Sequence, residues 1–168
     1  MKQVDYREIS NIINDKLSHG GVFFTTGDME KANTMTMGWG GALSFWGKGV
    51  FAAPVRPSRF SYGLLKERGE FTISIPLHDM KKELAFAGSR SGRDVDKFMG
   101  HGLTKAPAAQ GITPVIAECE LHLVCRVVGE TDLTADHLSQ DIVGPWYAKG
   151  DFHTLFFGQI LTAYYTNE

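Results

Sequence analysis

The 168-residue chain is 43% apolar and 21% charged, with a net charge of −2, the balance of an ordinary globular chain long enough to bury one core. No run approaches the roughly 18 uninterrupted apolar residues of a membrane span. The opening MKQVDYREISNII lacks an apolar signal core, so a single cytoplasmic domain over residues 1–168, with no membrane partner, is expected. Charge is distributed unevenly: residues 48–105 hold eleven basic and six acidic side chains, and residues 106–168 hold two basic and eight acidic. A globally basic nucleic-acid binder is excluded by that pattern; a basic middle third suits one compact anionic ligand, or else solvated helix faces.

In chain order, Val4, Ile9, Ile12, Ile13 and Leu17 recur at helical spacing after Asp5, a candidate N-cap, and Gly20-Gly21 ends that helix. VFFTTG reads as a strand and GDMEKAN as the turn after it. From Thr34 to Phe45 the residues alternate strictly. Met35, Met37, Trp39, Gly41, Leu43 and Phe45 form a bulky set that belongs in a core; Thr34, Thr36, Gly38, Gly40, Ala42 and Ser44 form a small one. This predicts a strand or a bent strand pair, whose small face admits a second strand, a partner subunit or a flat ring close to the backbone. VFAAPVRP is extended, with Pro54 and Pro57 placing its end at a sheet edge. Ser58 is a candidate cap for the helix SRFSYGLLKER, stopped by Gly69. EFTISIP is a strand with Phe71, Ile73 and Ile75 on one face. HDMKKELAFAG is a short helix capped by Asp79, and SGRDVDKF a loop with a helical turn. AECELHLVCRVV and HTLFFGQILTAYY close the chain as strands. Many strands with a few short helices between them predict a mostly β fold, an antiparallel barrel.

Cys119 and Cys125 fall on one expected strand, about 20 Å apart, beyond disulfide reach, and read as two small buried hydrophobes on one face. The six histidines show no metal-ligand spacing, no Ser–His–Asp arrangement can be assembled, and no strand–GxGxxG–helix unit is present.

Three loops join anion-binding chemistry to tight backbone geometry. Asn33, Thr34, Met35 and Thr36 can donate and accept along a heteroaromatic edge, although Asn33 also suits a plain turn. Arg56, Ser58 and Arg59 put two guanidinium forks around a serine at an expected helix N-terminus, a phosphate-binding arrangement or a simple cap with two surface arginines. Ser89, Ser91, Gly92, Arg93 and Lys97 fit a phosphate nest, with Asp94 and Asp96 as internal partners for Arg93 or Lys97; a solvated, salt-bridged loop is the alternative.

NTMTMGWGG, VRPSRFSYGLLKERGEFTISIP, GSRSGRDVDKF and HTLFFGQI, occurring in that order across nearly the whole chain, resemble the flavin reductase-like family, specifically its flavoredoxin-type branch. The resemblance implies an FMN-binding split β-barrel of Greek-key type that dimerises, with the flavin near the subunit interface. It implies that Asn33, Thr34, Met35 and Thr36 lie along the isoalloxazine and ribityl chain, and that Arg56, Ser58 and Arg59 lie near the phosphate. Ser89, Ser91, Gly92 and Arg93 would complete the pocket, Asp94 and Lys97 would support it, and His153 would sit close to the ring. Ala87-Gly88 departs from the Cys-Gly of many relatives. The implied activity is hydride transfer from NADH or NADPH to non-covalent FMN, with onward electron transfer to free flavin, an iron chelate or a protein partner. His153 is the catalytic candidate, orienting the nicotinamide or stabilising reduced flavin. An FMN electron carrier without NAD(P)H activity is the alternative, and a barrel that has lost its flavin a third.

Overall fold

The computed structural model describes residues 1–166. Ten strands and four short helices follow one another as β1 (Lys2–Gln3), α1 (Ser10–Ser18), β2 (Val22–Gly27), β3 (Ala32–Met37), β4 (Gly41–Phe45), β5 (Lys48–Val55), α2 (Phe60–Arg68), β6 (Glu70–Ile75), α3 (Lys81–Ser89), β7 (Lys105–Ala106), β8 (Val115–Ile116), β9 (Leu121–Asp132), α4 (Gln140–Tyr147) and β10 (Thr154–Tyr165).

The main sheet is antiparallel and runs β3-β2-β6-β9-β10-β5-β4, with β1 added to β10. Its two ends, β3 and β4, are joined by residues 38–40 alone. Three residues span only about 10 Å, so the sheet must curl until its edges approach, and it does so without pairing them. This is a barrel split between β3 and β4. The β5–β6 connection, carrying α2, spans the gap that β9 and β10 later fill, a Greek-key arrangement. Inside the barrel, Phe24, Phe51, Phe71, Ile73, Leu123 and Phe156 pack with Ile9, Ile13 and Leu17, which hold α1 against the strands. A second cluster, Phe23, Met80, Leu84, Ala87, Leu103, Ile116 and Cys119, lies outside the barrel beneath α3. β2 and β6 are therefore buried on both faces.

Several local expectations are corrected by tertiary pairing. The Val4 N–H bonds to Ala163 O at 2.9 Å, so the backbone stays committed to the sheet there. Asp5 ties Arg7 instead of capping a helix, and α1 begins at Ser10. Cys119 lies ahead of β9 and in the outer cluster, whereas Cys125 is inside the barrel, so the two do not share a strand face. Both thiols are free and buried. Asp79 accepts the Lys81 N–H at 3.1 Å from one residue outside the N-cap of α3, which is Met80.

The Thr34–Phe45 alternation is a bent strand pair, as its period suggested, but its bulky set is not all core. Trp39 and Phe45 are 42% and 44% exposed, because Trp39 falls in the link and Phe45 ends an edge strand. On the small face, Thr36 meets α3, its Oγ1 donating to Leu84 O at 2.6 Å, whereas Ala42 packs against the barrel core. At the far end, Phe45 pairs with Lys48 and leaves Trp46 and Gly47, with φ of 52° and 69°, as a two-residue turn of type I′. Past Ala52, β5 has β10 but no longer β4 beside it, which accommodates Pro54 at an edge.

Candidate functional site

A cleft opens where β3, the 38–39 link, the β5–α2 turn, the loop after α3 and the segment joining α4 to β10 converge. It has two lobes, of about 280 and 210 Å³, which share Met35 and Arg59 and together fall within the usual range for a small-molecule site.

The smaller lobe is cationic. Arg59, Arg90, Arg93 and Lys97 all line it. Among the described residues, none of the four forms an ion pair. Lys97 is buried, and its Nζ donates to Thr34 O at 2.8 Å and Ala87 O at 2.7 Å. Burial and then the nearby Arg59 push its ammonium down to about 8, so at neutral pH it is still mostly charged. An ammonium has three donors; two are used by carbonyls. Arg93 donates to Ser58 O at 3.0 Å and lies over the Phe60 ring. Asp94 and Asp96 are exposed and do not partner Arg93 or Lys97, which corrects the expected internal salt bridges: backbone carbonyls take that place. Ser91 Oγ accepts the Arg93 N–H at 3.2 Å, and Asp94 serves through its own N–H, which bonds Ser91 O. Ser89 Oγ donates back to Phe86 O at 3.4 Å. Asn33 donates to Ser61 Oγ at 2.8 Å, and its Oδ1 faces Gly92, where a Cβ would lie 2.3 Å away and 2.4 Å from Phe60. Only glycine lets that loop come so near.

The larger lobe is aromatic. Trp39 lies 4.9 Å from Trp146 edge to face and 5.2 Å from His153. The His153 Nδ1 is 2.7 Å from the Tyr147 hydroxyl. Burial, and then the Arg56 charge, push the imidazole down to about 4, so it is neutral at physiological pH. Arg56 is held by protein carbonyls: it donates to Asp151 O at 2.7 Å and Trp146 O at 3.0 Å, with its guanidinium 5.0 Å from the Tyr147 ring centre. Ser58 is not the cap of α2, a correction; Arg59 is the N-cap residue, and the Ser58 N–H and hydroxyl both donate to the Asp151 carboxylate, at 3.2 and 2.6 Å.

The expected residues thus sort by role. Asn33, Met35, Arg59, Ser89, Ser91, Gly92, Arg93 and Lys97 surround the cationic lobe together with Ser58. Met35, Thr36, Arg56, Arg59 and His153 border the aromatic one. Thr34 is buried, with its hydroxyl bonded to Thr25; it acts through its carbonyl on Lys97. Ala87, in place of the cysteine of many relatives, buries its methyl in the outer core. Sequence reasoning missed Trp39, assigned to a core by its alternation, and Trp146, Tyr147 and Asp151, which belong to a helix and turn hidden by Gly144 and Pro145.

Residues 15–168 match the family described as the flavin reductase like domain. The chain belongs to the flavin reductase-like family. Its motifs are those of the flavoredoxin-type branch. It is 34% identical over 133 residues to an uncharacterized protein of Archaeoglobus fulgidus, a match covering 79% of this chain and 65% of that protein; the chain thus spans under two thirds of that relative's length. Among solved structures it is similar to the flavoredoxin of Desulfovibrio vulgaris (Miyazaki F), at TM-score 0.68 and 25% identity, covering 87% of this chain and 69% of the other. It also shares the fold of an FMN-binding domain of a flavin reductases-like enzyme from Shewanella baltica, at TM-score 0.67 and 18% identity, over 98% of this chain and 78% of that one. The flavin reductase-like chain has, among its described residues, no helix long and apolar enough to cross a membrane and no group of three or more His, Cys, Asp or Glu placed to hold a metal ion.

Proposed function

We propose that this chain is an FMN-dependent oxidoreductase that takes hydride from NADH or NADPH and passes electrons to free flavin, an iron chelate or a protein partner. One observation carries the reading: four cations without counter-ions line one lobe of a cleft whose other lobe is walled by Met35, Trp39, Trp146 and His153. FMN has those two ends, a phosphate and a flat ring. Arg59, Arg93 and Lys97 would hold the phosphate, with the hydroxyl of Ser91 as a further donor and Ser89 beside it. Asn33 and the backbone of 33–36 would border the ribityl chain and the ring edge, and Gly92 keeps the loop close. When bound, the isoalloxazine supplies the hydride and electron chemistry. His153, neutral and fixed by Tyr147, is a hydrogen-bonding group at the reacting end and holds no charge there. Trp39 and Trp146, in edge-to-face contact, would border that end of the bound ring.

The likeness to flavoredoxin favours a second reading, an FMN electron carrier with little NAD(P)H activity. A homodimer goes with either reading: Phe45, Trp46 and Phe157 form an exposed aromatic cluster of the kind that a second subunit covers. A cytoplasmic setting, where NADH and NADPH are available, suits the enzyme. The deciding measurement is an absorbance spectrum of protein mixed with FMN, desalted, then mixed anaerobically with each nucleotide. Retained flavin bleached within seconds identifies the reductase and its donor; retained flavin bleached only by dithionite identifies the carrier; colourless protein without turnover overturns both.

A further inference from the structure

The wall of the aromatic lobe is poorly anchored by apolar contacts. Along α4 only Tyr147 is buried, while Trp146, Ala148, Lys149 and Asp151 are exposed. A segment with so little buried surface opens easily unless polar contacts fasten it. Those contacts converge on one residue. Asp151 has φ of 55°, a left-handed conformation that aspartate tolerates better than most residues. It follows the turn that the Gly150 N–H closes on Tyr147 O, and its carboxylate accepts both the Ser58 N–H and the Ser58 hydroxyl, while its carbonyl accepts Arg56 Nη1. The other nitrogen of the same guanidinium holds Trp146 O. Both ends of the 146–151 turn are therefore tied to the β5–α2 turn.

We propose that Asp151 is a positioning residue: it fastens Trp146 and His153 to the Arg56–Ser58 turn and so sets the width of the cleft for the reactant that meets the flavin. The role of Arg56 and Ser58 is then to hold this wall, leaving the phosphate to Arg59, Arg93 and Lys97. The inference rests on the cleft being the redox site only for its kinetic consequence; the fastening itself is testable without flavin.

Lys149 sits inside the fastened turn and offers a tryptic site. In flavin-free protein, Asp151→Ala should be cleaved after Lys149 at least tenfold faster than wild type, with other tryptic sites unchanged. Asp151→Asn keeps an oxygen acceptor for the Ser58 N–H and tolerates the same backbone, and should recover most of the protection. Ser58→Ala, which removes the shorter, hydroxyl bond to Asp151 from the other side and keeps the N–H bond, should also speed that cleavage, by less than Asp151→Ala. With FMN bound, Asp151→Ala should raise the KM for the nicotinamide about fivefold or more, with kcat and FMN affinity changed less than threefold. Equal cleavage after Lys149 in wild type, Asp151→Ala and Ser58→Ala would overturn the proposal, as would a loss of FMN affinity that matches the rise in KM. Faster cleavage in a protein that never binds FMN would uphold the fastening and refute only the flavin reading.

Discussion

The His153 Nδ1 lies 2.7 Å from the hydroxyl of Tyr147, six residues earlier in the chain. A tyrosine that donates to Nδ1 leaves the single proton of the neutral ring on Nε2, and one that accepts from Nδ1 leaves Nε2 an acceptor; in both tautomers the contact fixes the ring and turns Nε2 away from Tyr147. Because burial holds its pKa down to about 4, His153 should contribute no ionisation between pH 5 and 8, and steady-state turnover should be flat there with respect to this group. His153→Ala should lower kcat/KM about tenfold, the equivalent of one net hydrogen bond, and Tyr147→Phe should lower it by a smaller factor. A pH–rate profile with an inflection near 6.5 that disappears in His153→Ala would contradict this account.

Lys97 needs its proton to attract a phosphate. Since its pKa is pushed down to about 8, FMN affinity should be full below that pH and weaken as pH rises through it. In Lys97→Met the weakening should already be present at pH 7, about ten- to hundredfold in Kd, from the loss of a charged hydrogen bond worth about 1.5–3 kcal/mol. Fluorescence titration of FMN at pH 7 and 9 checks both statements. The thermal midpoint of flavin-free Lys97→Met should fall as well, because the Thr34 and Ala87 carbonyls lose the donor they share.

Gly92→Ala places a methyl 2.3 Å from Asn33 Oδ1 and 2.4 Å from the Phe60 ring. Neither neighbour has room to withdraw: Asn33 is held by Ser61, and Phe60 opens α2. Overpacking of this kind costs about 1–3 kcal/mol. Urea denaturation should show that loss, together with weaker FMN binding as the loop is pushed out.

Acid should weaken the fold through His122. Its ring is buried between Ser74, which its Nδ1 meets at 3.0 Å, and Tyr164, and its Nε2 has no hydrogen-bond partner among the described residues. Burial pushes its pKa down to about 4, below the unfolded value of about 6.5. The unfolded chain therefore binds a proton that the folded chain refuses. The stability is fully present above pH 6.5, falls as pH drops from there to 4, and changes no further below 4. The whole change is on the order of 3 kcal/mol. The urea midpoint measured from pH 7.5 to 4 should decline accordingly, and His122→Gln should make the decline shallower, leaving the part that His153, also depressed to about 4 by burial, contributes in the same direction.

Much of the barrel was legible in the order of residues. Period-2 alternation marks EFTISI, because a residue on a pleated sheet sees the same face every second position; runs of apolar and β-branched residues bounded by turn signals mark VFFTTG and the last strand, and Gly69 marks the end of α2. The cationic lobe was legible as composition: Arg59, Arg93 and Lys97 lie within a basic third of the chain, and their serine and glycine neighbours suit phosphate. Local order could not reveal which donors remain free. Arg56 and Arg59 are equivalent in the string VRPSR, yet Arg56 is bound by carbonyls 90 and 95 residues away.

Sequence by itself determined the β architecture, the clustering of arginine, lysine, serine and glycine in the loops and the family, since each is written in local runs of residues. Only the tertiary structure decided that Trp39 faces the cleft, that Thr34 and Ala87 offer their carbonyls to Lys97, and that Asp151 takes both donors of Ser58. Each of those contacts pairs groups whose hydrogen-bonding needs could be met by many partners, and the choice among them is made by how the curled sheet brings distant segments together.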